Sequence, residues 1–149
     1  MSDKTVNIMK IEFPAKSVNE GFARSAVSAF AAQCDPSIAI IADIKTVVSE
    51  AVTNAIVHAY AGFEDKSECM IYILCKISES GKLTVRIKDK GRGIEDVQTA
   101  MQPLYTTDTD GERSGMGFTI MQSFTDGLRV RSKTDKGTVV TLEKRLRGL

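Results

Sequence analysis

The chain has 149 residues, of which 42% are apolar and 26% charged, with a formal net charge of +1. That balance is ordinary for a soluble globular domain and excludes bulk electrostatic attraction to nucleic acid or an acidic membrane. No apolar run approaches the roughly 20 residues that span a bilayer, and Met1-Ser2-Asp3-Lys4 carries no signal-peptide core, so one cytoplasmic domain over residues 1–149 is expected, with no membrane and no direct nucleic-acid partner.

Val6 to Phe13 reads as a first strand, with Met9, Ile11 and Phe13 alternating against Lys10 and Glu12 before Pro14. Ser17-Val18-Asn19-Glu20 fits a capping box that opens a helix. Phe22, Ala26, Ala29 and Phe30 are expected on its buried face. Arg24 lies roughly 200° around from Phe22 at about 100° per residue. It therefore points outward near Glu20, either as a surface ion pair or as part of a polar docking face. Asp35 as cap and Pro36 as first helical residue are expected to start the next helix.

That second helix is predicted to run to about Tyr60. Ile44, Val47, Val48, Ala51, Ala55 and Ala59 recur at three- and four-residue steps and form one apolar stripe. Glu50 and Asn54 are one turn apart on a neighbouring face. Two readings of the pair stand at this point: solvated surface residues, or a base beside a hard-cation ligand. Cys34, Cys69 and Cys75 are odd in number and lack C-x-x-C spacing, so they read as packing residues.

Cys69 to Ile77 and Leu83 to Ile87 read as two strands joined by the turn Glu79-Ser80-Gly81-Lys82. The second runs into Asp89-Lys90-Gly91-Arg92-Gly93-Ile94, where glycines let the backbone approach a ligand closely. This is neither the dinucleotide fingerprint nor a P-loop. A short helix is expected from Ile94 to Met101, stopped by Pro103, followed by a polar, aperiodic loop from Leu104 to Ser114. Gly115-Met116-Gly117 then opens a helix through Phe124, either as an ordinary glycine-rich start or as an anion-holding one. Leu128 to Arg131 and Thr138 to Leu146 are the last strands, around the turn Thr134-Asp135-Lys136-Gly137. Lys144-Arg145 and Arg147 read as a short solvated basic run. Hairpins outnumber βαβ units, so the expected fold is α+β, with helices on one face of a mixed, mainly antiparallel sheet.

The combination is more specific than any part. Ile44-Lys45-Thr46-Val47-Val48-Ser49-Glu50-Ala51-Val52-Thr53-Asn54-Ala55-Ile56 comes first. Val85-Arg86-Ile87-Lys88-Asp89-Lys90-Gly91-Arg92-Gly93-Ile94 and Gln102-Pro103-Leu104-Tyr105-Thr106-Thr107 follow, and Glu112-Arg113-Ser114-Gly115-Met116-Gly117-Phe118-Thr119-Ile120-Met121 completes the set. With these motifs the chain resembles the GHKL ATPase and kinase superfamily (the Bergerat fold). Within it, the likeness is closest to the serine-kinase anti-sigma factors of endospore formation, and it covers essentially the whole chain.

The resemblance implies a set of roles. Asn54 would hold the Mg²⁺ that bridges the phosphates of ATP, and Glu50 would accept the proton of an attacking serine hydroxyl. Asp89 would accept from the adenine amino group, with Gly91 and Gly93 beside the base and Thr138 as a second polar contact. Residues 103–117 would form the lid, whose Gly115 and Gly117 amides face phosphate and whose order would differ between ATP and ADP. Arg113 would neutralise charge on the transferred group. Ile94, Thr106, Thr107, Ser114, Met116 and Phe118 complete the implied nucleotide-contacting set. Implied partners are sigma factor F, an anti-anti-sigma protein carrying the substrate serine, and a second copy in a homodimer. Glu20, Arg24 and Glu112 would be partner contacts. The acidic, glycine-bearing Asp108-Thr109-Asp110-Gly111 departs from the family's usual lid. Two alternatives remain open: a general-stress anti-sigma kinase, and a nucleotide-gated binding module without kinase activity.

Overall fold

In the computed structural model, residues 2–65, 67–97 and 117–147 are described. Strand β1 (Thr5–Pro14) leads into helix α1 (Val18–Ala32) and helix α2 (Ile38–Asn54), which passes into a π-helical turn (Ala55–Ala59). Strands β2 (Met70–Ser78) and β3 (Lys82–Asp89), helix α3 (Gly117–Ser123), and strands β4 (Gly127–Lys133) and β5 (Gly137–Arg145) follow. The sheet order is β1-β2-β3-β5-β4. Every pairing among the described strands is antiparallel, so the sheet is not mixed as expected. The strands are joined by hairpins and by excursions through helices that return on the same side, a route that leaves no adjacent strands parallel.

Alternation along the strands separates the two faces. Ile71, Ile73, Cys75, Val85, Ile87, Val140 and Leu142 are buried on one side, against Val27, Phe30, Ile44, Val47, Val48 and Val52 of α1 and α2. Cys69 and Cys75 are buried as packing residues, and Cys34 is half-buried. The residues between them in the strands, such as Glu12, Tyr72 and Lys88, stand on the other side in one cross-strand row. No helix among the described residues is long and apolar enough to cross a membrane.

Four local expectations are corrected. The α1 stripe is Ala23, Val27, Phe30 and Ala31; Ala29 is exposed and Phe22 is 55% exposed, its ring edge-on to Phe13 at 6.3 Å. Apart from Phe30 the true stripe is made of small side chains, so the larger Phe22 misled the phase by one residue. The capping box does not form: Ser17 is already helical and makes no side-chain cap bond, and Glu20 pairs with Arg24 at 3.5 Å. The cap of α2 is Ser37, whose hydroxyl accepts the Ile40 N–H at 3.2 Å, while Asp35 takes a left-handed φ of 52°. A Pro at 36 keeps Asp35 out of the right-handed helical region, so the cap falls to the next polar residue. Finally, Lys144 is not simply solvated: its Nζ donates to Asp43 Oδ2 (2.9 Å) and the Phe124 carbonyl (2.8 Å), tying β5 to α2 and to the end of α3.

The corrected phase of α1 is checked by substitution. Val27 is fully buried, so Val27→Ala should lower unfolding free energy by about 2 kcal/mol, whereas Ala29→Ser should change it by less than about 0.5 kcal/mol. Urea denaturation of both variants measures the difference, and equal costs would contradict this packing.

Candidate functional site

Two groups of polar side chains meet along α2 and the edge of β3. The first is set by the helical repeat. Glu50 and Asn54 follow the buried stripe Val47, Val48, Ala51 on the adjoining face, and both are half-buried. Gly117, the first residue of α3, sits directly against them. A Cβ there would stand 3.2 Å from Asn54 Nδ2, 3.4 Å from Glu50 Oε2 and 3.5 Å from Asn54 Oδ1. A side chain at 117 would therefore fill the cradle that the carboxylate and the carboxamide share.

The second group is built on β3 and β5. Asp89 ends β3 on its buried parity and pairs with Thr138 across the ladder. Its Oδ1 accepts the Gly91 N–H at 2.9 Å and the Thr138 N–H at 3.3 Å. Burial pushes the Asp89 carboxyl above its usual 3.8, and the two N–H donors pull it partly back. Among the described residues no hydrogen bond reaches the other carboxylate oxygen. An acceptor in a low-dielectric recess selects for an N–H donor, because an unpaired polar group there is costly.

The glycines are required by contact. A Cβ on Gly91 would overlap the Ala59 carbonyl, and one on Gly93 (φ +77°) would overlap the Lys133 carbonyl. The loop thus threads between the π-helical turn and the β4–β5 turn, and Arg92 N–H donates to Ala59 O at 2.9 Å while Asp135 N–H donates to Arg92 O at 2.7 Å.

This is where the two groups are joined. Asn54 ends α2, and the π-helical turn that follows brings the Ala59 carbonyl to the loop. The next residue, Tyr60, is buried; its hydroxyl donates to the Met70 carbonyl (2.6 Å) and accepts the Lys90 N–H (2.7 Å). Ile94 N–H is held by Ser132 Oγ at 2.7 Å.

The structure therefore brings Glu50, Asn54 and Gly117 together, and separately Asp89, Gly91, Gly93, Ile94 and Thr138. Phe118 packs, half-buried, against the core. Arg24, its side chain 44% exposed, contacts Glu20 and reaches Ser49 Oγ at 3.5 Å, beside Glu50 on α2. Thr106, Thr107, Glu112, Arg113, Ser114, Gly115 and Met116, with the expected 94–101 helix beyond Val97, lie outside the described residues. Sequence reasoning missed Tyr60, the Ala59 carbonyl and Ser132. A signal existed for Ser132: it shares strand parity with Leu128 and Val130, a polar residue in an apolar row.

The chain is similar over most of its length to several known proteins. The histidine kinase-like ATPase domain matches residues 13–144. An anti-sigma F factor of Clostridium botulinum (strain Eklund 17B / Type B) is 53% identical over 139 residues, covering 93% of this chain and 94% of the relative. That of Clostridium novyi (strain NT) is 50% identical over 143 residues, covering 96% and 97%. Among solved structures, the RsbU and RsbW domains of a Mycobacterium tuberculosis protein align with a TM-score of 0.70 at 22% identity, over 96% of this chain and 34% of that one. The SiaB–SiaC complex from Pseudomonas aeruginosa gives 0.62 at 11% identity, over 95% and 91%. At these identities the structural matches speak for the fold alone.

The burial of Asp89 makes a pH prediction. With its folded pKa raised above 3.8, its contribution to stability is complete below that value and is lost as pH rises through the raised pKa. Asp89→Asn removes the ionisation and should melt higher than the unsubstituted chain at neutral pH, with the gap closing as pH falls through the raised pKa and gone once pH is below 3.8. Thermal melts across pH measure this; a gap that grew on acidification would reverse the assigned sign.

Proposed function

Because the chain belongs to the anti-sigma F factor family and to the histidine kinase-like ATPase domains, we propose that its site transfers the γ-phosphoryl group of ATP to a serine of an anti-anti-sigma protein. The same chain would bind and inhibit sigma factor F, as a cytoplasmic homodimer. The observation that carries this reading is the shared cradle of Glu50 and Asn54 under Gly117, one π-helical turn away from the recess around Asp89.

At the recess, the free oxygen of Asp89 accepts an adenine N6–H, and Gly91 and Gly93 keep the walls clear of side chains. At the cradle, the Asn54 amide oxygen is a hard donor suited to Mg²⁺. Among the described residues no three acidic, His or Cys side chains cluster, so such an ion would share Asn54 with the phosphates, and the side-chain-free space at Gly117 fits that arrangement. The metal, when bound, supplies charge neutralisation on the phosphates. Glu50 takes the proton of the serine hydroxyl as the serine oxygen bonds to the γ-phosphorus and the bond to the bridging oxygen of ADP breaks. Arg113 would balance charge on the group in flight, and the lid's order would follow ATP or ADP. Glu20, Arg24 and Glu112 would serve the protein partners. The Arg24–Ser49 contact supports that role, because it links the outer helix to the residue beside Glu50.

Two substitutions test the chemistry. Glu50→Gln should cut transfer of labelled phosphate to the anti-anti-sigma protein by about 100-fold or more while ATP still binds. Equal labelling by both forms would remove Glu50 from the base role, and tight ATP binding by the unsubstituted chain with no labelling at all would favour a nucleotide-gated binding module. Asn54→Ala should weaken ATP binding in the presence of Mg²⁺ and leave the thermal unfolding curve nearly unchanged. Calorimetric titration that finds unaltered affinity would sink the ligand assignment.

A further inference from the structure

Thr138 lies at the recess beside Asp89, and its hydroxyl is not free to point either way. Thr138 Oγ1 sits 2.8 Å from Ser132 Oγ. Ser132 Oγ also receives the Ile94 N–H at 2.7 Å and lies 3.1 Å from the Gly137 carbonyl. A serine hydroxyl has one proton and two lone pairs. One lone pair is taken by Ile94. The Gly137 carbonyl can only accept, so it takes the Ser132 proton. What remains on Ser132 is one lone pair, and Thr138 can satisfy it only by donating. With its proton turned to Ser132, Thr138 shows lone pairs to the recess.

We propose that Ser132 is a positioning residue that sets base specificity by holding the Thr138 hydroxyl as an acceptor. This rests on the nucleotide-binding reading above and goes a step beyond it. The recess then presents two acceptors, the Asp89 carboxylate and Thr138 Oγ1. A 6-amino purine offers two N–H donors from one nitrogen and matches them. A 6-oxo purine brings an acceptor to the same place and is repelled. Without Ser132, the Thr138 proton is released and can turn inward as a donor, which a 6-oxo group accepts. Ser132 itself touches no ligand in this scheme; it acts through Thr138.

The experiment uses the full chain with Mg²⁺ and compares binding of ATP and ITP, which differ at position 6 and the adjoining ring nitrogen. The unsubstituted chain should prefer ATP strongly. Ser132→Ala should shrink the ATP-to-ITP preference by about 10-fold, the scale of one neutral hydrogen bond, chiefly through tighter ITP binding. Ser132→Thr keeps the hydroxyl and should restore the preference. Ser132→Cys is close in size with a weaker acceptor and should fall between, which preserves the test if the alanine variant unfolds. Equal loss of affinity for both nucleotides, or an unchanged ratio in both the Ala and Cys variants, would overturn the proposal by reducing Ser132 to a structural role. Binding of neither nucleotide by the unsubstituted chain would overturn the nucleotide reading and this inference with it.

Discussion

The interaction on which the site depends is the pair of backbone N–H groups that meet one oxygen of Asp89. A carboxylate at the buried end of a central strand is costly unless it is hydrogen-bonded. Gly91 and Thr138 supply those bonds from opposite directions, one from the loop just ahead and one from the neighbouring strand. Gly137 has φ +123°, and a Cβ there would overlap the Asp89 carbonyl, so the approach of β5 to β3 needs glycine at that point. The remaining desolvation is only partly offset, as the raised pKa records. The fold carries a locally unfavourable group at the position where a ligand can satisfy it, a common signature of a binding site.

The π-helical turn is the second constraint. Its Tyr60 N–H reaches back five residues to the Ala55 carbonyl at 3.3 Å, one more than an α-helix allows. The wider turn leaves the Ala59 carbonyl directed at the Arg92 N–H rather than along the helix axis. An uninterrupted α-helix would have set the register of the loop against α2 differently. The same helix therefore orients Glu50 and Asn54 on one side and the glycine-bearing loop after Asp89 on the other, through backbone atoms and the Tyr60 hydroxyl.

Much of this was legible in the residues, and the exceptions have physical causes. The strands of the central hairpin were readable because Leu83, Val85 and Ile87 alternate cleanly with polar neighbours and β2 is a β-branched run with Ile71, Ile73 and Ile77 on one parity. Glu50 and Asn54 were readable as a pair because the 3.6-residue repeat needs no tertiary information. The phase of α1 was not, since Ala23 and Ala31 carry too little apolar contrast beside an exposed phenylalanine. The capping box at Ser17 failed because Glu20 found Arg24 instead, a competition that sequence spacing does not rank. Lys144 gained its role from Asp43, 101 positions away in sequence. Ser132 and the Ala59 carbonyl matter through partners on other elements, and a backbone carbonyl leaves no trace in residue identity.

Strand pairing also sets an order in time. Asp89 and Thr138 are separated by 49 positions, yet they share one hydrogen bond and one ladder rung. A chain emerging from the ribosome presents Glu50, Asn54 and Asp89 before β5 exists. The α2 face that carries Glu50 and Asn54 can form early from local contacts, whereas the recess around Asp89 closes only when the last strand docks, late because that pairing spans 49 positions. The Asp89 carboxylate therefore gains its second N–H donor, that of Thr138, only when β5 docks, so the strand that completes the sheet also completes the recess.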